Sequence, residues 1–223
     1  MGLVAALEWE GQPYRLCRVD MLGEMREPDY ARINPRHETP VLITGDGRPV
    51  TETMAIAAHL EARDTERRIS FEPSSAEADR MHQLMGFLNS SFTPAFGPLW
   101  AALELAAPEP AYQAALRRFG RAAVVKRHDQ LEAMIGNTPY LVGDRPTLAD
   151  ALLVGVARWL EYHQVEQRTR WPKLHALHGR LERDPAVQFA RVRENGETPA
   201  SRALVAQVPL ADVIARSASG SWP

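Results

Sequence analysis

Cysteine is nearly absent from this chain, which has one, Cys17, among 223 residues. One thiol closes no internal disulfide, and the count excludes a Cys-x-x-Cys motif and a cysteine-rich zinc site. Long apolar runs are missing too. Met1 to Leu7 is apolar, but it is far too short for a membrane span or a secretory signal core and has no basic stretch before it. No segment is a long block of like charge: 26 Lys plus Arg stand against 28 Asp plus Glu, a formal net charge of −2. Nucleic acids and anionic membranes are bound through clustered cations, so neither is expected as a partner. Internal repeats are also lacking, and 45% hydrophobic with 24% charged residues is an ordinary globular composition. These absences predict a cytoplasmic protein that folds around an apolar core with no metal site and no disulfide staple.

The pattern that is present changes along the chain. Leu3, Ala6, Leu7 and Glu10 sit at helical spacing and stop at Gly11, a C-terminal helix signal. A strand-like Tyr14 to Val19 follows. Thr39 to Thr44, then Gly45-Asp46-Gly47, then Arg48-Pro49-Val50 reads as a hairpin, because Asp-Gly between two apolar runs is a strong turn signal. Thr51 to Glu61 reads as a helix. From Arg63 to Pro73 charge is dense, as in a linker, and beyond it the period is 3.6 throughout. One helix carries Met81, Leu84, Met85 and Leu88 and bends near Pro94; a long one carries Leu116 to Ile135. Leu148 to Leu160 is apolar almost all round, as a central bundle helix should be. Two shorter helices are separated by Asp184-Pro185, and the residues after Thr198 read as a trailing tail. The expected fold class is therefore α/β plus all-α: a small α/β unit over residues 1–66, then an all-helical unit with a C-terminal tail over residues 67–223. Thr147-Leu148-Ala149-Asp150 is a capping box with Asp in place of Glu, a folding element without chemistry of its own.

Three segments in this order make the chain resemble the cytosolic glutathione transferases: Asn34 to Leu42, Thr51 to Ile56, and Tyr140 to Asp150, with Arg183 to Val187 as a weaker fourth. The resemblance runs from near the start of the chain to about Val192, and it implies a thioredoxin-like N-terminal domain followed by a helical one. The stretch Met85 to Phe96 is most similar to the bacterial Beta-type enzymes, although a His and a Lys often stand there in place of Thr93 and Pro94. In the family the proline at the position of Pro40 is cis, and the residue before it, here Thr39, pairs its main chain with the tripeptide's cysteine. Glu52 and Thr53 match an acid or amide followed by Ser that holds the γ-glutamyl end of glutathione; helix N-termini favour carboxylates for reasons of orphan donors and dipole. Thr51 or Thr53 equally reads as a plain helix cap.

The resemblance also implies a hydrophobic substrate pocket at Phe92, Phe96 and Trp100, although an aromatic stripe at helical spacing is more often plain core. Two departures stand out. Where the family has a Lys or Gln for the glycyl carboxylate this chain has Glu38, so His37 or Arg36 is the candidate cation. Met1 aligns inside the family's first helix, which makes the α/β domain incomplete at its start. The first strand and the Tyr, Ser or Cys that activates the thiol would lie upstream of the sequence shown, leaving the catalytic residue unknown. Ala203 to Val208 is the one spare apolar run that could fill that strand's place. The function implied is glutathione-dependent detoxification by a homodimer, conjugating the glutathione co-substrate to a small hydrophobic electrophile. The alternatives are a non-catalytic binding module of the same fold, or a glutathione-dependent isomerase, dehalogenase or peroxidase.

Overall fold

The computed structural model describes residues 1–105, 107, 109–197, 199–201 and 203–219. The first helix, α1 (Gly2–Glu10), ends as its sequence predicts: Gly11 takes φ 76° and its N–H donates to the Leu7 carbonyl at 3.0 Å. A glycine at its other end permits close packing. A Cβ on Gly2 would stand 2.0 Å from the Ala151 carbonyl oxygen, so this helix crosses its neighbour backbone to backbone. Next come β1 (Tyr14–Leu16), two 3-10 turns over Glu24–Arg26 and Pro28–Arg32, and the antiparallel hairpin of β2 (Val41–Ile43) and β3 (Pro49–Thr51). Gly47 takes φ 88° in the predicted turn, a conformation that suits glycine. The hairpin leads into α2 (Thr53–Arg63).

The charged stretch after α2 is bonded in place. The Asp64 carboxylate accepts from the backbone N–H of Arg68 and Ile69 and from the Ser70 hydroxyl. Arg145 donates to the carbonyls of Arg67 and Ser70 and lies over the Phe71 ring at 4.8 Å. The third family-like segment therefore fastens the stretch after α2 to the helical unit.

Helix α3 (Ala76–Phe87) is capped by Ser75, and the bend expected near Pro94 is a π-helical Leu88–Phe92 followed by a 3-10 Thr93–Phe96. Then come α4 (Gly97–Glu104) and α5 (Pro110–Met134), whose first turn is capped by the Glu109 carboxylate. The central helix is shorter than its apolar run: α6 spans Leu148–Val156, and a turn separates it from α7 (Trp159–Tyr162). Asp150, fully buried, accepts from the N–H and hydroxyl of Thr147 and from the Leu141 N–H. Burial raises its carboxyl to about 6 against those bonds. Helices α8 (Pro172–Glu182) and α9 (Pro185–Glu194) follow; Asp184 caps α9 and accepts from the Trp9 indole at 2.9 Å, tying α9 to α1.

The expected tail is corrected by the structure. Residues 204–207 form β4 (Leu204–Gln207), parallel to β1, with Tyr14 N–H donating to Ala203 and Val208 N–H to Leu16. Helix α10 (Leu210–Ser219) then folds back across the α/β unit. Its Leu210, Val213 and Ile214, at positions i, i+3 and i+4, face Tyr30, Ile33, Cys17, Val41 and Ile43 in a second apolar core. Arg216 donates to the Gly45 carbonyl beside the hairpin turn. Ser217 to Ser219 belong to this helix, while Gly220 and Ser221 of the expected tail lie outside the described residues. The spare apolar run thus stands beside β1, where the resemblance put a strand from upstream.

Candidate functional site

The cleft of interest forms where the 34–40 loop meets the start of α2. The loop is fixed from inside. Asn34 is buried and donates from Nδ2 to the Glu38 carbonyl at 2.8 Å, and the buried Tyr30 hydroxyl donates to the same oxygen at 2.9 Å. Asn34 Oδ1 also accepts from the Arg36 N–H, an Asx turn. These bonds hold the Glu38 backbone still, and with it the Thr39–Pro40 peptide bond, which is cis.

Across the cleft, Glu52 takes φ 69° at the N-cap of α2. An L-residue held there costs roughly 1–3 kcal/mol, an investment typical of ligand clamps. Among the described residues no side chain caps the helix, so the first-turn N–H groups, beginning with Thr53, keep their hydrogen-bonding capacity for a partner. The cleft, about 230 Å³ of open space, is lined by Asn34, Glu38, Thr39, Pro40, Glu52 and Thr53. Chemically it offers an extended main-chain edge, a helix N-terminus for an anion and carboxylates for a cation.

Thr39, Pro40, Glu52 and Thr53 are thus brought together. His37 is not among the lining residues: its Nδ1 is 2.7 Å from the Met25 carbonyl and its ring lies beside Tyr30. Arg36 instead reaches over the cleft, pairing with Glu38 at 2.7 Å and Glu52 at 2.9 Å. Phe92 and Phe96 are fully buried, packed against His128, and Phe96 also meets Trp159. Trp100 stacks on Tyr162 at 5.3 Å, so none of the three borders this cleft.

Two other polar side chains are set aside by their surroundings. Burial pushes the Cys17 thiol up to about 11, so it is not a thiolate at neutral pH. Burial and the bond to Glu8 raise the Tyr14 phenol as well. Asn34 and Tyr30 went unrecognised as supports of the site. Asn34 had a signal, since Asn before Pro marks turns; Tyr30 sits in a polar stretch that gives none.

Two family models match the chain: glutathione S-transferase, N-terminal domain, over residues 2–63, and glutathione S-transferase, C-terminal domain, over residues 91–185. Human glutathione S-transferase theta-2 is 30% identical over 183 residues, 77% of this chain and 71% of that one. Glutathione S-transferase GST-4.5 of Xanthomonas campestris is 25% identical over 184 residues, covering 82% of this chain and 88% of its own. The crystal structure of a glutathione transferase homologue from Sulfitobacter with bound glutathione superposes with a TM-score of 0.74 at 25% identity, covering 88% of this chain and 93% of that one.

Proposed function

Because the chain belongs to the glutathione S-transferase family, we propose that it binds glutathione in the cleft between Thr39-Pro40 and the start of α2 and transfers the thiol to a hydrophobic electrophile. The observation that carries this reading is the convergence of Thr39, the positive-φ Glu52 and the start of α2 at Thr53 on one cleft. Thr39 offers its main chain to the cysteine of the tripeptide as a neighbouring strand would. The Thr53 hydroxyl and the first N–H groups of α2 receive the γ-glutamyl carboxylate, and Glu52 receives the ammonium. A hydrogen bond to a charged group contributes about 1.5–3 kcal/mol, so Thr53 carries much of the affinity.

The attacking species is the thiolate, and a free thiol with a pKa near about 8.5 is only a few per cent ionised at neutral pH. Neither Cys17 nor Tyr14 supplies a donor for that anion, since both stand outside the cleft with their acidity weakened. This favours a second reading, a glutathione-binding module of the same fold with little turnover. One experiment separates the two. Conjugation of a chloronitrobenzene is followed with and without the protein at equal glutathione. A rate far above the uncatalysed reaction supports the transferase; retention on immobilised glutathione without acceleration supports the module; neither result leaves the cleft without this ligand.

We place the protein in the cytoplasm as a homodimer whose seam is the exposed side of the helix from Ala76 to Phe92, with a role in detoxification. Among the described residues no helix is long and apolar enough to cross a membrane. Light scattering at micromolar concentration checks the dimer, and a monomeric mass contradicts it.

A further inference from the structure

A second cavity, about 490 Å³ of open space, lies in the helical unit among α6, α8 and α9 and shares no lining residue with the cleft. Buried Val154, Leu181 and Val187 give it apolar walls. Its polar groups sit at two depths. On the inside is His178 of α8, 2% exposed, with neither ring nitrogen hydrogen-bonded among the described residues. A buried polar atom left unpaired costs about 1–3 kcal/mol, so such atoms normally meet a partner. Burial, with the nearby Arg168 guanidinium, lowers the His178 pKa to about 3, which leaves a neutral ring with one nitrogen to donate and one to accept. At the rim stand Arg158, Arg168 and Arg191. Arg158 pairs with Glu194, and Arg168 pairs with Glu161 at 2.9 Å and Glu182 at 2.6 Å. Arg191, exposed on α9, has no acid partner among the described residues, so the rim keeps one uncompensated positive charge.

We propose that this cavity is a binding site for a small phenolic carboxylate, which sets its acid on Arg191, its ring between Val154, Leu181 and Val187, and its hydroxyl on His178. Each end of the cavity selects one end of the ligand. A neutral imidazole matches a phenol, which both donates and accepts, whereas a carboxylate buried beside it would lose its hydration with no cation to offset the loss. The acid therefore stays at the rim, where the planar fork of Arg191 receives two oxygens at once. Arg158 and Arg168 are already neutralised by their own acids, so they shape the mouth without drawing a second anion into it. The apolar walls favour a flat ring over a sugar or a peptide, whose polar groups would go unpaired against them. No residue of the glutathione cleft takes part, so this site stands or falls independently of the glutathione reading.

The test is calorimetry at neutral pH with 4-hydroxycinnamate, with cinnamate, which lacks the hydroxyl, and with methyl 4-hydroxycinnamate, which lacks the charge. Wild type should bind 4-hydroxycinnamate about fivefold more tightly than cinnamate, the worth of one neutral hydrogen bond, and about tenfold more tightly than the ester, the worth of one charge-assisted bond. Arg191→Gln, an exposed change that leaves the core intact, should weaken both acids about tenfold and leave the ester unchanged. His178→Leu should bind the two acids alike. Saturating glutathione should not displace the ligand. If 4-hydroxycinnamate does not bind wild type, the cavity holds solvent only and the proposal fails. Equal affinity for the acid and its ester, or no change in Arg191→Gln, overturns it as well, and displacement by glutathione moves the ligand to the cleft and refutes a separate site. Should His178→Leu not fold, the comparison of three ligands on wild type and Arg191→Gln still decides.

Discussion

Ile214→Ala is the perturbation that most sharply probes the docking of α10. Ile214 is 7% exposed and shares a small apolar core with Tyr30, Ile33 and Val213. Ile→Ala in a core costs about 2–5 kcal/mol, and a small peripheral cluster that partly relaxes should fall near the lower end, about 2–3 kcal/mol. For a chain of this size that lowers the melting temperature by about 5–10 °C. The same core carries a route to the site. Tyr30 packs in it, and the Tyr30 hydroxyl holds the Glu38 carbonyl at 2.9 Å, so loosening the cluster should also weaken glutathione binding a few-fold. Calorimetric melting of wild type, Ile214→Ala and the control Val205→Ala decides the matter. Val205, on the outward side of β4, is 61% exposed and should change stability by no more than about 0.5 kcal/mol. Melting temperatures of wild type and Ile214→Ala that agree within about 1 °C would refute a docked α10, because no packed isoleucine is removed so cheaply.

Ending the chain after Glu197 removes Val208, Leu210, Val213 and Ile214 from that core; at about 1.5–3 kcal/mol for each well-buried side chain the loss rivals a typical total stability of about 5–15 kcal/mol, and urea unfolding should show the α/β unit opening first. Asp150→Ala strands the buried N–H groups of Leu141 and Thr147 and should cost about 3 kcal/mol in urea unfolding at neutral pH, whereas a cost under about 1 kcal/mol contradicts the cap. Acid should destabilise the fold through His128 and His178, which burial lowers from the usual 6.5 to about 4 and about 3. The unfolded chain binds these protons first, so stability is lost as pH falls below 6.5; from about pH 7 to about pH 5 each costs about 2 kcal/mol, and Asp150, raised to about 6, returns about 1 kcal/mol by protonating in the folded state. His178→Leu, replacing a ring whose nitrogens have no partner among the described residues, should flatten this pH slope, and an unchanged slope contradicts the assignment.

Local signals carried most of the fold. Gly11, Asp46-Gly47, Ser75 and Asp184 each mark a boundary through a bond made within a few residues, and such bonds are legible in a linear pattern. The C-terminal segment, read as a tail apart from the spare run Ala203 to Val208, is less legible for the opposite reason. That short run gains its strand partner only from β1, roughly 190 residues away in sequence, and propensity says little about pairing at that range. At the site, Thr39, Glu52 and Thr53 are named through the segments that resemble the glutathione transferases, and the structure brings the three to one cleft. The orientation of His37 and the reach of Arg36 were not. Side-chain direction on the 34–40 loop depends on Tyr30, Asn34 and Met25, which the residue order alone does not bring together.

The most direct test of the central claim is isothermal titration of glutathione into the wild-type protein and Thr53→Ala at neutral pH. If the start of α2 holds the γ-glutamyl carboxylate, loss of that hydroxyl weakens binding by about 1.5–3 kcal/mol, roughly tenfold or more in Kd, with the fold intact by circular dichroism. Equal affinities for the two proteins would contradict the assignment and place the ligand elsewhere.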